Sequence, residues 1–225
     1  MRTIFYSRPS FWLLLLGLVP LLFFSENVSA QRNRQRRQAT KPTVRVVTLG
    51  HEDHGKSTLV AAITKVLSGS GRARLRTYDS LANSPEARVE YETNRARYTQ
   101  LDCRTNDDCV KLLSREKSRL NGAILVVAAT DGPMPQTREH LRLAQAAGIK
   151  SIVVYLNKID LVDDPELLEL VELETRRLLD SHGFRGNEVR FVNGSALMAL
   201  NGTRNDIGKD SIIKLLSVMD AVFVK

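Results

Sequence analysis

A chain of 225 residues that is 43% hydrophobic and 26% charged has the composition of an ordinary globular protein, with room for one good core and an appendage. The formal net charge of +8 would suggest an acidic partner such as nucleic acid, but it is concentrated at one end. Residues 1 to 45 carry eight basic side chains (Arg2, Arg8, Arg32, Arg34, Arg36, Arg37, Lys41, Arg45) against Glu26 alone. The rest is nearly neutral, so basicity gives no ground for a nucleic-acid-binding body.

The first element is the apolar run FWLLLLGLVPLLFF at 11 to 24, preceded by Arg2 and Arg8 and followed by Val28-Ser29-Ala30. That layout predicts a secretory signal peptide cut after Ala30, and its 14 residues are short for a membrane span, which needs roughly 20. The following QRNRQRRQ argues for a flank held on the cytoplasmic side of a retained anchor. It also fits the Arg-rich half of a bipartite organelle address. Residues 1–41 are therefore expected to be a targeting segment with a basic linker. An anchored chain facing the cytoplasm, or an organellar one, is expected ahead of a secreted one.

From Pro42 strands alternate with helices. Val44 to Leu49 is strand-like, and Lys56 to Leu67 is an amphipathic helix closed by Ser68-Gly69-Ser70-Gly71. Ala123 to Ala128 and Ser151 to Leu156 are continuous apolar, β-rich runs, as expected of strands buried on both faces of a parallel sheet. Gln136 to Ala147 starts behind Pro133 and Pro135 and stops at Gly148; Pro165 to His182 starts after Asp163 and Asp164 and stops at Gly183. A strand over Val189 to Val192 and a helix over Ser211 to Phe223 complete the series. This alternation predicts that 42–225 is a three-layer α/β domain with a mostly parallel sheet and ligands at the carboxyl ends of its strands.

Three motifs occupy such ends. Gly50-His51-Glu52-Asp53-His54-Gly55-Lys56-Ser57, followed by Thr58, fits GxxxxGK[ST] between a strand and a helix, the setting that marks a P-loop. Its glycines let backbone N–H groups wrap phosphates at a helix N-terminus. Lys56 would reach the β and γ phosphates and Ser57 would ligate Mg²⁺; His51 and His54 lack a third ligand for a metal site of their own. Asn157-Lys158-Ile159-Asp160 closes a buried strand, where the Asp160 carboxylate can accept from N1–H and the N2 amine of guanine. Adenine has no N1–H, and a site built on such pairing discriminates by about 10⁴-fold. In Ser195-Ala196-Leu197 the backbone N–H groups of Ser195 and Ala196 are expected to meet guanine O6. The expected ligands are thus GTP or GDP with Mg²⁺. One further stretch, YTQLDCRTNDDCVKLL at 98 to 113, sets Cys103, Cys109, Asp102, Asp107 and Asp108 close together. By itself it is open to reading as a metal site, a redox pair or the remnant of something else.

These motifs, with the runs NGAILVVAATDGPMPQTREH and IVVYLNKIDLVDDPELLELVELETRRLLDSHGF, resemble the GTP-binding domain of bacterial-type elongation factor Tu, a translational GTPase. The resemblance spans about residues 43 to 222 and implies a P-loop GTPase fold. It assigns Gly50, His51, Asp53, His54, Gly55, Lys56, Ser57 and Thr58 to the phosphates and Asn157, Lys158, Asp160, Ser195, Ala196 and Leu197 to the base. Ser57 and Asp102 are assigned to Mg²⁺, Asp102 through water.

The departures bear on activity. Where the family has D-C-P-G-H, this chain has Asp102-Cys103-Arg104-Thr105-Asn106. Thr105 replaces the glycine whose amide senses the γ-phosphate, and Asn106 the histidine that positions attacking water, leaving the catalytic group unknown. The R-G-I-T-I segment, whose threonine completes the Mg²⁺ shell, is missing between Arg88 and Val89, and Glu52 stands where the family has a small apolar residue. Impaired hydrolysis is the resulting expectation. The alternatives are a nucleotide-independent pseudo-GTPase acting as a protein-binding module, a vestigial gene copy, and an active translational GTPase. The helix ending near Lys225 is not followed by the family's β-barrels, so aminoacyl-tRNA binding is not expected of these residues. Partners beyond guanine nucleotide would be a ribosome, a protein, or a membrane through 11–24. The family's arrangement implies that Asp107 to Lys111 lead into a helix, which would scatter the acids and cysteines of the 98 to 113 stretch. A Cys103–Cys109 disulfide would go with export.

Overall fold

In the computed structural model, residues 41–84, 87–103 and 105–224 are described, and residues 42–225 make one compact unit. The expectations for the apolar run and basic linker concern residues outside those described. Among the described residues no helix is long and apolar enough to cross a membrane.

Among the described residues six strands form one sheet: β1 Thr43–Leu49, β2 Ala87–Glu92, β3 Arg97–Asp102, β4 Gly122–Ala128, β5 Ile152–Asn157 and β6 Arg190–Asn193, in the order β2-β3-β1-β4-β5-β6. Only β2, at one edge, runs antiparallel. The helices are α1 Lys56–Ser68, α2 Tyr78–Ala82, α3 Asn106–Arg115, α4 Pro135–Ala146, α5 Pro165–Ser181, α6 Ala196–Asn201 and α7 Lys209–Phe223. This is the three-layer, mostly parallel α/β fold expected of a P-loop GTPase domain.

The continuous apolar runs are buried on both faces because successive side chains of a strand point opposite ways. Val44, Val46, Ile124, Val126, Val153 and Tyr155 pack under α1, α6 and α7. Val47, Leu49, Ala123, Leu125, Val127, Val154 and Leu156 pack under α3, α4 and α5. A one-residue slip in any central strand would exchange its two faces, which pins the register.

That register carries the motifs to one edge. Thr48 of β1 lies opposite Asp102 of β3, and Ala128 of β4 opposite Asn157 of β5. The chain passes from β1 to β3 on one side and to β4 on the other, so the strand order reverses at β1, and the crevice there opens beyond Leu49. Helix bounds differ from expectation by one or two residues. α7 starts at Lys209 and α4 at Pro135, since proline is accommodated in a first turn that needs no N–H donor. The short α2 had no clear periodic signal, and β2, whose Arg88-Val89-Glu90-Tyr91-Glu92 alternates charged with apolar residues, was not among the expected strands.

Candidate nucleotide site

Immediately after β1 the chain turns through Gly50 at φ 135° and reaches Gly55 at φ 86°, the N-cap of α1. Side chains rarely adopt either conformation, and both glycines are pressed against other strand ends. A Cβ on Gly50 would run into the Val126 carbonyl, and one on Gly55 into the Asn157 amide. Within the loop the His54 N–H donates to the Glu52 carbonyl, and Lys56 Nζ folds back to donate to the His51 carbonyl at 2.9 Å. Lys56 is buried; burial pulls its ammonium below the ordinary range, opposed by the carboxylates of Asp102, Glu52 and Asp53.

Beside it, Ser57 Oγ donates to Asp102 Oδ2 at 2.7 Å, joining the first turn of α1 to the end of β3. A hydroxyl and a carboxylate oxygen this close, beneath a phosphate loop, fit Mg²⁺, which commonly takes one or two protein oxygens and fills its octahedron with phosphate and water. Among the described residues no group of three or more His, Cys, Asp or Glu is placed to hold a metal, so the phosphates would have to supply part of the shell. Ser57 of this pair also lines a cleft of about 350 Å³, together with Glu52, Asp53, Lys56, Tyr78 and Thr105 among others.

Asn157 plays a part that its motif alone does not disclose. Its Nδ2 donates to the His54 carbonyl at 2.9 Å and its Oδ1 accepts from Ala196 N–H at 2.9 Å. This buried amide ties the phosphate loop to the loop before α6. Ser195 N–H donates to the Ile207 carbonyl at 2.7 Å, and the Ser195 hydroxyl caps α6 by accepting from Met198 N–H at 3.2 Å. Both amides expected to face guanine O6 are thus already engaged within the protein, so a base would have to share the Ala196 N–H. Lys158 adopts φ 61°, a sharp reversal that leads into the 3₁₀ turn Ile159–Leu161 carrying half-buried Asp160. Leu197 is half exposed at the start of α6.

The 98 to 113 stretch departs from expectation. Cys103 and Cys109 do not scatter: they are joined in a disulfide, and both are fully buried. Thr105 caps α3, its Oγ1 accepting from Asp108 N–H at 3.2 Å while Asp108 Oδ2 accepts from Thr105 N–H at 3.4 Å. Asp107 and Asp108 are therefore surface and helix-cap groups, whereas Asp102 is buried and holds Ser57. Thr105 lines the cleft, whereas Asn106 is exposed at the first position of α3.

Two participants lay outside the sequence reading. Tyr78 of α2 lines the cleft beside Lys56 and Ser57, and buried His140 of α4 accepts at Nδ1 from Gly50 N–H at 3.2 Å. No local pattern marks a histidine ninety residues from its partner. Burial pushes His54 and His140 from 6.5 down to about 4; the Val126 carbonyl pulls His54 partly back, and nearby Lys56 lowers His140 further. Because these folded values lie below the unfolded one, the unfolded chain takes up protons first. The stability at stake is fully present above about pH 6.5 and is lost as pH falls towards 4, by up to about 3 kcal/mol for each histidine. The urea midpoint is expected to drop steadily over that window; a midpoint flat from pH 7 to 5 would contradict it.

A glycine-bounded loop at the helix N-terminus, a buried lysine and a paired serine and aspartate define a phosphate-binding domain of the P-loop class. Within that class, residues 41–224 match the model of the elongation factor Tu GTP binding domain, and the chain belongs to that family. It is a translational-type GTP-binding domain.

Proposed function

We propose that this domain binds GTP or GDP with Mg²⁺ and hydrolyses GTP slowly. The observation that carries the reading is the 2.7 Å pairing of Asp102 with Ser57, which lines the cleft after the P-loop together with Lys56. In the bound state the loop amides and Lys56 would hold the phosphates, and Ser57 and Asp102 would hold Mg²⁺, directly or through water. Asp160 would read the N1–H and N2 edge of guanine. Mg²⁺ would supply neutralisation of the phosphate charge. The same reading treats 1–41 as a targeting segment preceding a G domain over 42–225.

Slow turnover follows from what surrounds the cleft. Thr105 presents a hydroxyl-capped helix start in place of a bare glycine amide, and exposed Asn106 has no imidazole with which to move a proton. Positioned acid or base groups are typically worth 10²- to 10⁴-fold. The double change Thr105→Gly and Asn106→His is expected to raise single-turnover phosphate release by at least about 10-fold. Glycine is a tolerable N-cap, so its cost to α3 is only a few tenths of a kcal/mol. Unchanged release from a folded double variant would count against a lost catalytic loop.

A nucleotide-independent protein-binding role is favoured by one observation, the Glu52 carboxylate that lines the cleft and repels anions. Titration of the purified chain with fluorescent GDP, competed by ATP, separates the readings. Saturable binding resisted by ATP supports the nucleotide site, and absence of any guanine preference overturns it.

A further inference from the structure

The Cys103–Cys109 bridge is placed where it can act on the site. Cys103 directly follows Asp102, whose carboxylate holds Ser57, and Cys109 lies in the first turns of α3. Between them stands Thr105, which both caps α3 and lines the phosphate cleft. The cysteine Cα atoms are 4.9 Å apart and both side chains are buried against Leu101, Leu112 and Leu113. A covalent ring of this kind lets Thr105 move away from Asp102 only as far as the ring itself permits. Without the bridge, the Thr105–Asp108 capping box and the packing of Leu112 and Leu113 remain to hold the start of α3.

We infer that the Cys103–Cys109 disulfide is a redox-controlled lock on the start of α3 at the cleft: oxidised, it fixes that segment beside the proposed Mg²⁺ ligands; reduced, it frees the segment to move when nucleotide binds. The inference rests on the nucleotide reading above for its consequence, though not for the lock itself. The reductant is a dithiol. One of its thiolates attacks a sulfur of the bridge, breaking the S–S bond and forming a mixed disulfide. Its second thiolate then attacks the mixed disulfide and leaves as a cyclic disulfide. Cys103 and Cys109 together gain two electrons and two protons, and the dithiol loses them. Since both sulfurs are buried, exchange waits on local opening of the first turn of α3.

The test uses the full chain as purified and after dithiothreitol treatment, with alkylation and mass measurement to count thiols. Two alkylated cysteines are expected only after reduction, and two free thiols in the chain purified without reductant would overturn the proposal. Deuterium uptake in peptides covering 105 to 112 is expected to speed up about 10-fold or more on reduction, the scale on which closing a short ring restrains a chain. The Cys103→Ser/Cys109→Ser variant should match the reduced protein. If that variant folds poorly, the reduced wild-type chain gives the same comparison. Release of fluorescent GDP is expected to differ by about 3-fold or more between the two redox forms, a shift of the size that weak coupling between sites produces. Equal deuterium uptake in both forms overturns the lock. Absence of nucleotide binding in either form, with uptake still redox-dependent, defeats the nucleotide reading and leaves the lock standing.

Discussion

Asp160→Ala is expected to remove the preference for guanine over adenine by up to about 10⁴-fold while leaving the fold intact. The size comes from what the carboxylate does for each base. Guanine offers N1–H and an amine to a single acidic side chain; adenine offers neither in that place, so binding it would cover the carboxylate and leave it unpaired. Asp160 is half-buried in the 3₁₀ turn after β5 and supports no core packing, so its loss should cost little stability. Competition of GDP and ADP against a fluorescent guanine nucleotide gives the ratio directly. If guanine still wins by the original margin, the base is read elsewhere, and the pairing proposed for this turn is wrong.

Asn157→Ala should be the more damaging change to the structure. The Asn157 amide satisfies two buried backbone groups at once, the His54 carbonyl and the Ala196 N–H, each at 2.9 Å. Truncation leaves both without that partner, at about 1–3 kcal/mol each, against a total stability on the order of 5–15 kcal/mol. A fall in melting temperature of about 5–20 °C is expected at 2–4 °C per kcal/mol for a domain of this size. Nucleotide affinity should fall with it, because the phosphate loop and the Ser195 loop lose their common tie. Asn157→Asp is not expected to rescue: a carboxylate can accept from Ala196 N–H, but its second oxygen would face the His54 carbonyl. Scanning calorimetry with and without GDP measures both effects, and an Asn157→Ala protein as stable as the parent would refute the bridging role.

Together these two residues show how unevenly the site could be read in advance. The P-loop was legible because its requirements are local: glycines where φ is positive and a lysine and serine at the start of a helix. For Asp160 the motif gave a proposed role, and the fold adds only that its side chain is half-buried in a turn at the end of β5. Asn157 was legible as a site residue but not as a tie, because its partners lie 103 and 39 residues away in sequence. The Ser195 and Ala196 amides were assigned to the base from motif order, yet their hydrogen bonds to Ile207 and Asn157 appear only once the loops are folded against each other. His140 and Tyr78 carried no signal, for each acts through a neighbour that the fold alone supplies.

What the sequence by itself determined was the α/β class and the place of the motifs at the carboxyl ends of the strands, and the phosphate and guanine chemistry proposed for the site was read from the same motifs. These follow from hydrophobic period, turn residues and motif spacing, all short-range properties. The tertiary structure decided which groups meet. It joined Cys103 to Cys109 where a helical reading had scattered them, set Ser57 against Asp102, and turned Asn157 into a brace. The physical reason is that hydrogen bonds and disulfides need atoms within a few ångströms in a set orientation, and only the packed fold brings them there, whether the partners are six residues apart, as the cysteines are, or tens.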